Sequence, residues 1–199
     1  MKLHTLFSRR SHKLIGMLFL ILGLSSCVPA ALVLGATAGG AVVYDKRSMK
    51  TMVQDRDSAQ AASNLINASS DLQQGTHISV ATFNHIMLLV GQTTTEEQRT
   101  TAYQLASQVK YVSRVYNEIT IQKPISMWQR SKDSWITTKV KTEMMATSGL
   151  HSTQVKVVTE NGVVYLMGML TPQQSELATN VARRIDGVRE VVKVFQNQQ

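Results

Sequence analysis

A shift of 77 positions lays one stretch of this chain over another, and that internal repeat limits the fold more than any other feature of the sequence. Ile78-Ser79-Val80-Ala81-Thr82-Phe83-Asn84-His85-Ile86-Met87-Leu88-Leu89-Val90-Gly91 falls on Val155-Lys156-Val157-Val158-Thr159-Glu160-Asn161-Gly162-Val163-Val164-Tyr165-Leu166-Met167-Gly168. Thr82, Asn84, Leu89 and Gly91 coincide with Thr159, Asn161, Leu166 and Gly168. In the second stretch, apolar β-rich runs flank Asn161-Gly162, the pair that best tolerates the positive φ angles of a tight hairpin turn. The first stretch carries Asn84-His85 in that slot, which predicts either more local strain or a wider turn.

Each hairpin is followed by a helix start: Thr95-Glu96-Glu97-Gln98 in the first copy and Thr171-Pro172-Gln173-Gln174 in the second. Both read as capping boxes, with Pro172 suited to the first helical position. Ala102, Leu105, Ala106 and Val109, matched by Ala178, Val181, Ala182 and Ile185, then recur at helical spacing, so one face of each helix is buried. A short strand closes each copy, at residues 114–119 and 190–195. Candidate helices at 58–68 and 134–147 precede the hairpins. The expectation is an α+β chain of two tandem units, each helix-strand-strand-helix-strand, with two helices on a three-stranded mixed sheet. Units of this size make marginal cores, which favours packing of the copies against each other or close tethering. The expected boundaries are 45–123 and 132–199, joined by a linker over 124–131 that opens on Pro124.

The N-terminus specifies a compartment. Lys2, Arg9, Arg10 and Lys13 precede an apolar run over 14–24, the layout of a secretory signal. Leu24-Ser25-Ser26-Cys27 follows, and Cys27 is the one cysteine of the chain. This resembles the lipobox of bacterial lipoproteins, which implies removal of residues 1–26 and covalent lipid on Cys27. The competing reading is an ordinary signal cleaved near Ser26. An uncleaved anchor would have to run on past Pro29. Val28 after the cysteine, where an inner-membrane lipoprotein carries Asp, implies the outer membrane. Residues 27–44 form the lipidated cysteine and an apolar Gly/Ala tether. Without its leader the chain carries seventeen basic and thirteen acidic residues, a mild excess with no dense Lys/Arg stripe, which argues against nucleic acid as a partner.

The paired units, the V-x-V-x-T-E-N-G-x-V-x-L-M-G pattern over 155–168 and the late Gly187-Val188 step resemble the BON domain. Val115-Tyr116-Asn117-Glu118-Ile119, Trp135-Ile136-Thr137-Thr138-Lys139-Val140-Lys141 and the lipobox are similar to outer-membrane lipoproteins that carry two such domains. The resemblance implies a non-catalytic protein on the periplasmic face of the outer membrane. It further implies that the second BON domain binds anionic phospholipid, phosphatidylglycerol or cardiolipin, and that the protein supports envelope integrity and concentrates at division sites. The first copy has Asn84-His85 in its turn and no counterpart of Trp135, so lipid binding is not extended to it.

The residues themselves point the same way. On a helix starting near Asp133, Ile136, Val140 and Met144 make a core face, with Trp135 and Met145 off its centre. Trp135 flanked by Lys132, Lys139 and Lys141 suits a headgroup boundary. The alternative is a core Trp135 with the lysines as a solvated face. Residues 126–199 carry nine basic against six acidic groups and residues 45–125 eight against seven, so the basic bias falls on the second copy. The candidate phospholipid-binding residues are therefore Trp135, Lys139, Lys141 and Met145, and Asn161 and Gly162 form the turn.

No catalytic or metal-binding pattern emerges. His77, His85 and His151 are not paired at ligand spacing, no phosphate loop or nucleophile elbow occurs, and Glu96-Glu97 fits helix capping. The expectation is no enzyme and no cofactor beyond the lipid. The rival to a lipid reader is a membrane-tethered adaptor whose sheet edges and Trp135 helix hold an envelope protein.

Overall fold

The computed structural model describes residue 45 and residues 47–197. The leader at 1–26, Cys27 and the tether up to residue 44 lie outside the described residues, as do Gln198 and Gln199.

The repeat becomes two α+β units. The first runs α1 (Met49–Ala68), a 3-10 turn (Ser70–Leu72), β1 (His77–Phe83), β2 (Ile86–Thr93), α2 (Glu96–Ser107) and β3 (Arg114–Ile121). The second runs α3 (Met127–Ala146), a 3-10 turn (Ser152–Gln154), β4 (Val155–Glu160), β5 (Val163–Leu170), α4 (Pro172–Arg183) and β6 (Glu190–Asn197). In each sheet the middle strand, β2 or β5, is antiparallel to its hairpin partner and parallel to the closing strand. A parallel neighbour cannot be reached by a tight turn, so α2 and α4 serve as the crossovers.

Both hairpins close through two residues at positive φ: Asn84 at 48° and His85 at 64°, Asn161 at 49° and Gly162 at 76°. The first turn is thus not widened. It holds His85 in a left-handed conformation that suits glycine, so of the two expectations the strained one is correct. The paired closing glycines have a steric reason. A Cβ on Gly91 would stand 1.9 Å from the His77 carbonyl oxygen, and one on Gly168 2.7 Å from that of Gln154.

Three expectations need correction. Both lead helices begin earlier than their apolar periodicity suggests, because Ser48 and Ser126 cap them by accepting from Thr51 N and Gln129 N. Residues 127–131, read as linker, are the first turns of α3. Only the second capping box is complete: Thr171 accepts from Gln174 N and the Gln174 side chain accepts from Thr171 N. In the first, Gln98 Oε1 accepts instead from Thr94 N, while its Nε2 donates to the carbonyls of Asp71 and Gln74 and ties α2 to the preceding loop.

The cores explain the long apolar strands. Ala62, Ile66, Met87, Leu89, Ala102 and Ala106 fill the space between one sheet and its helices, and Ile136, Val140, Met144, Val164, Leu166, Ala178 and Ala182 fill the other. The alternate residues Ala81, Phe83, Leu88 and Val90 face Tyr165, Met167 and Val194 in a third cluster shared by both units. The sheets therefore pack face to face with helices outside, and β2 and β5 are buried on both faces, as their unbroken apolar runs require. Each large side chain in that shared cluster contributes about 1.5–3 kcal/mol by leaving water, so the units stabilise one another.

Candidate functional site

A buried carboxylate on each lead helix sets the hairpin against it. Asp55 accepts from Asn84 N at 2.6 Å and His85 N at 2.8 Å, and Asp133 accepts from Asn161 N at 2.7 Å and Gly162 N at 2.9 Å. Asp55 is 3% and Asp133 4% exposed. Neither residue was singled out in the sequence, since Asp in a helix normally reads as surface. The signal was there in their near-coincidence under the repeat, at a shift one residue longer than that of the turns.

With Asp133, Ile136, Val140 and Met144 turned inward, the opposite side of α3 is presented to solvent. Trp128, Lys132, Trp135 and Lys139 fall within about 60° of one another around the helix. Trp128 is 72% and Trp135 48% exposed. Lys132 Nζ lies 5.9 Å from the Trp128 ring centroid and Lys139 Nζ 5.7 Å from that of Trp135, two cation–π pairs along one stripe. Met127 at 73% and Met145 at 71% exposed lie on the adjoining side, about 80° round from Trp135. Of the four residues singled out in the sequence, the structure brings Trp135 and Lys139 together. Met145 flanks them, and Lys141 turns about 120° away from Trp135. Trp128 was missed because its turn of helix was read as linker.

Two cavities related by the repeat lie between each lead helix and the first strands of both units. One, about 390 Å³, is lined by Arg47, Asp55, Arg56, Ala59, Thr82 and Lys156 among others. The other, about 260 Å³, is lined by His77, Ser79, Arg130, Asp133, Thr137 and Glu160 among others. In the second, Gln92 Nε2 donates to Glu160 Oε1 at 2.6 Å across the units. Burial pushes the Glu160 carboxyl above its usual range, with Asp133 adding to the rise and the Gln92 bond opposing it. Burial, helped by Arg130, holds the His77 ring below its usual range. Among the described residues no cluster of His, Cys, Asp and Glu has the makings of a metal site, and no helix is long and apolar enough to cross a membrane.

The BON domain pattern matches residues 54–123 and 132–198, one match to each unit. The chain belongs to the BON domain family. It is 36% identical over 172 residues to the outer membrane lipoprotein DolP of Haemophilus influenzae, covering 86% of this chain and 89% of that protein. It is 38% identical over 151 residues to a 21 kDa hemolysin of Actinobacillus pleuropneumoniae, covering 76% and 78%. The osmotically-inducible protein Y of Escherichia coli is 31% identical over 121 residues, with 59% of this chain and 60% of that one covered. The BON assignment made from the Thr159-Glu160-Asn161-Gly162 region and the paired units is therefore correct.

Proposed function

We propose that this BON protein is an outer-membrane lipoprotein, anchored through Cys27 on the periplasmic face, whose second BON domain binds anionic phospholipid such as phosphatidylglycerol or cardiolipin through α3. Its task is to support envelope integrity, including at division sites. The observation that carries the reading is the exposed Trp128-Lys132-Trp135-Lys139 stripe. Indole rings sit well at a headgroup boundary, and each nearby cation adds about 1 kcal/mol against anionic lipid. The first unit makes the contrast: at the α1 positions matching Trp135 and Lys139 stand Asp57 and Ala61. Similarity to DolP, whose name places it in the outer membrane, supports the location. The lipid anchor makes the modest patch sufficient, because tethering supplies the local concentration that a weak contact needs.

The test is sedimentation of the chain from Asp45 onward with phosphatidylglycerol-containing and purely zwitterionic vesicles. Binding is expected only to the first, and a Trp128→Glu, Trp135→Glu double variant that keeps its circular dichroism spectrum is expected to lose it. A second reading, the adaptor, rests on an apolar groove of about 300 Å³ in the first unit, lined by Ala61, Leu65, Val109 and Tyr111. It predicts a protein partner that the Trp variants still retain.

A further inference from the structure

We propose that the cavity between α1, β1 and Lys156 is a binding site for a phosphate-class anion, built from both units and distinct from the outer stripe of α3. Lys156 belongs to β4 of the second unit but reaches over the edge of β1, where its Nζ donates to the Thr82 carbonyl at 3.1 Å. Its other ammonium protons have no protein partner among the described residues. Burial, with Arg47 and Lys141 nearby, holds this lysine below its usual range, so keeping it charged there costs stability. Arg56 also lines the cavity and forms no ion pair among the described residues.

Asp55 shares the wall, yet its oxygens are committed to Asn84 N, His85 N and Arg47 Nη1. Arg47 is in turn held by Asp45 at 2.7 Å and Asp55 at 2.8 Å, and it lies over the Phe83 ring at 3.8 Å. Arg47 neutralises one of these two carboxylates and the other offsets one of the cations Lys156 and Arg56, so the cavity keeps one net positive charge.

The hydroxyl of Thr82 is the second sign of a ligand. Thr82 is 1% exposed, lines this cavity, and its Oγ1 has no hydrogen-bond partner. The repeat supplies the control. In the second unit the matching hydroxyl, on Thr159, has a partner, accepting from Thr137 Oγ1 at 2.7 Å. Ala59 stands where Thr137 would be, Arg56 stands for Ser134, and Lys156 replaces Ser79. Three independent replacements turn one of two equivalent cavities cationic and free a buried hydroxyl to donate. Phosphate oxygens match that set of donors, as charge-assisted bonds from Lys and Arg and a neutral one from Thr.

The probe is inorganic phosphate, titrated into the full-length protein in a non-ionic detergent against chloride at constant ionic strength and followed by NMR. Saturable shifts centred on Thr82 and Lys156 are expected. Lys156→Met should weaken binding about tenfold, the worth of one charge-assisted bond. Thr82→Val should weaken it about threefold. Arg183→Gln, which removes the same charge from the far end of α4, should leave it unchanged. Lys156→Met removes a half-buried charge and is expected to fold at least as well as wild type, which thermal melting checks. Diffuse unsaturable shifts, or an affinity unchanged by Lys156→Met, would overturn the site. Phosphatidylglycerol vesicles distinguish the sources. Weaker vesicle binding by Lys156→Met identifies a lipid headgroup, and unchanged vesicle binding alongside weaker phosphate binding identifies soluble phosphate. Because Trp128 and Trp135 are untouched, this site and the lipid reading of α3 fail separately.

Discussion

The two halves of this molecule share a backbone and differ in what they show to the outside. Both lead helices bury an aspartate that grips a two-residue turn, and both sheets pair in the same order with the same close glycine contact. On that common frame α3 displays two tryptophans paired with lysines, whereas α1 displays Asp57 and Ala61 at the equivalent of Trp135 and Lys139. The lesson is that the repeat fixes the interior. The proposed contacts lie where the two copies have diverged.

The largest expected effect tests the shared part of that comparison. Asp55→Ala and Asp133→Ala each leave two turn N–H groups without their charged acceptor, a loss of about 3 kcal/mol in urea unfolding. Asp55→Ala should cost more, because it also removes one of the two carboxylates that hold Arg47. Equal losses would mean that the Arg47–Asp55 pair adds nothing measurable beside the strain at His85.

That strain is open to exchange. Gly162→His should destabilise by about 1–2 kcal/mol, because it places a side chain at φ 76° within 3.1 Å of Arg189. His85→Gly should gain up to about 1 kcal/mol, checked in the same unfolding series, although it gives up the contact of His85 Nδ1 with the Tyr111 carbonyl oxygen at 2.9 Å. A stabilising Gly162→His would contradict the reading of the turns.

Much of this architecture was legible in the sequence, for identifiable reasons. Asn161-Gly162, Thr171-Pro172 and the paired glycines carry local chemistry that admits few conformations, so hairpins and second helices could be placed. The starts of α1 and α3 were hidden because their first turns overhang the core: Met49, Val53, Met127 and Trp128 are all exposed, and no apolar period marks them. The same overhang concealed Trp128. Asp55 and Asp133 were illegible one at a time, since a buried acid is recognised only by the N–H groups it meets. Face-to-face packing was foreshadowed by Ile86-Met87-Leu88-Leu89-Val90, a run with no polar face to give to water.

Smaller effects separate the two cavities. The Glu160 carboxyl is raised by burial, so its contribution to stability is full below the ordinary glutamate pKa and is lost as pH rises through the folded value. Glu160→Gln should therefore raise the melting temperature at neutral pH, with the gain fading as pH falls through the raised folded value and gone below about 4.5. A gain that persists into acid would assign the effect to packing instead. Ala59→Thr, which copies Thr137 into the first unit, should change stability by no more than about 0.5 kcal/mol, because the new hydroxyl bond offsets the poorer helix propensity of threonine. It should weaken phosphate binding by bonding the Thr82 hydroxyl and narrowing the cavity that Ala59 lines, and undiminished phosphate binding would separate that hydroxyl from the site.

The most direct test of the account compares vesicle binding by the wild-type chain from Asp45 onward with that of two variants at matched fold: Trp128→Glu, Trp135→Glu on α3, and Met49→Glu, Val53→Glu on α1. Anionic vesicles should retain the wild type and the α1 variant and release the α3 variant. Retention of the α3 variant, or equal loss from both, would contradict the assignment of membrane contact to the second unit.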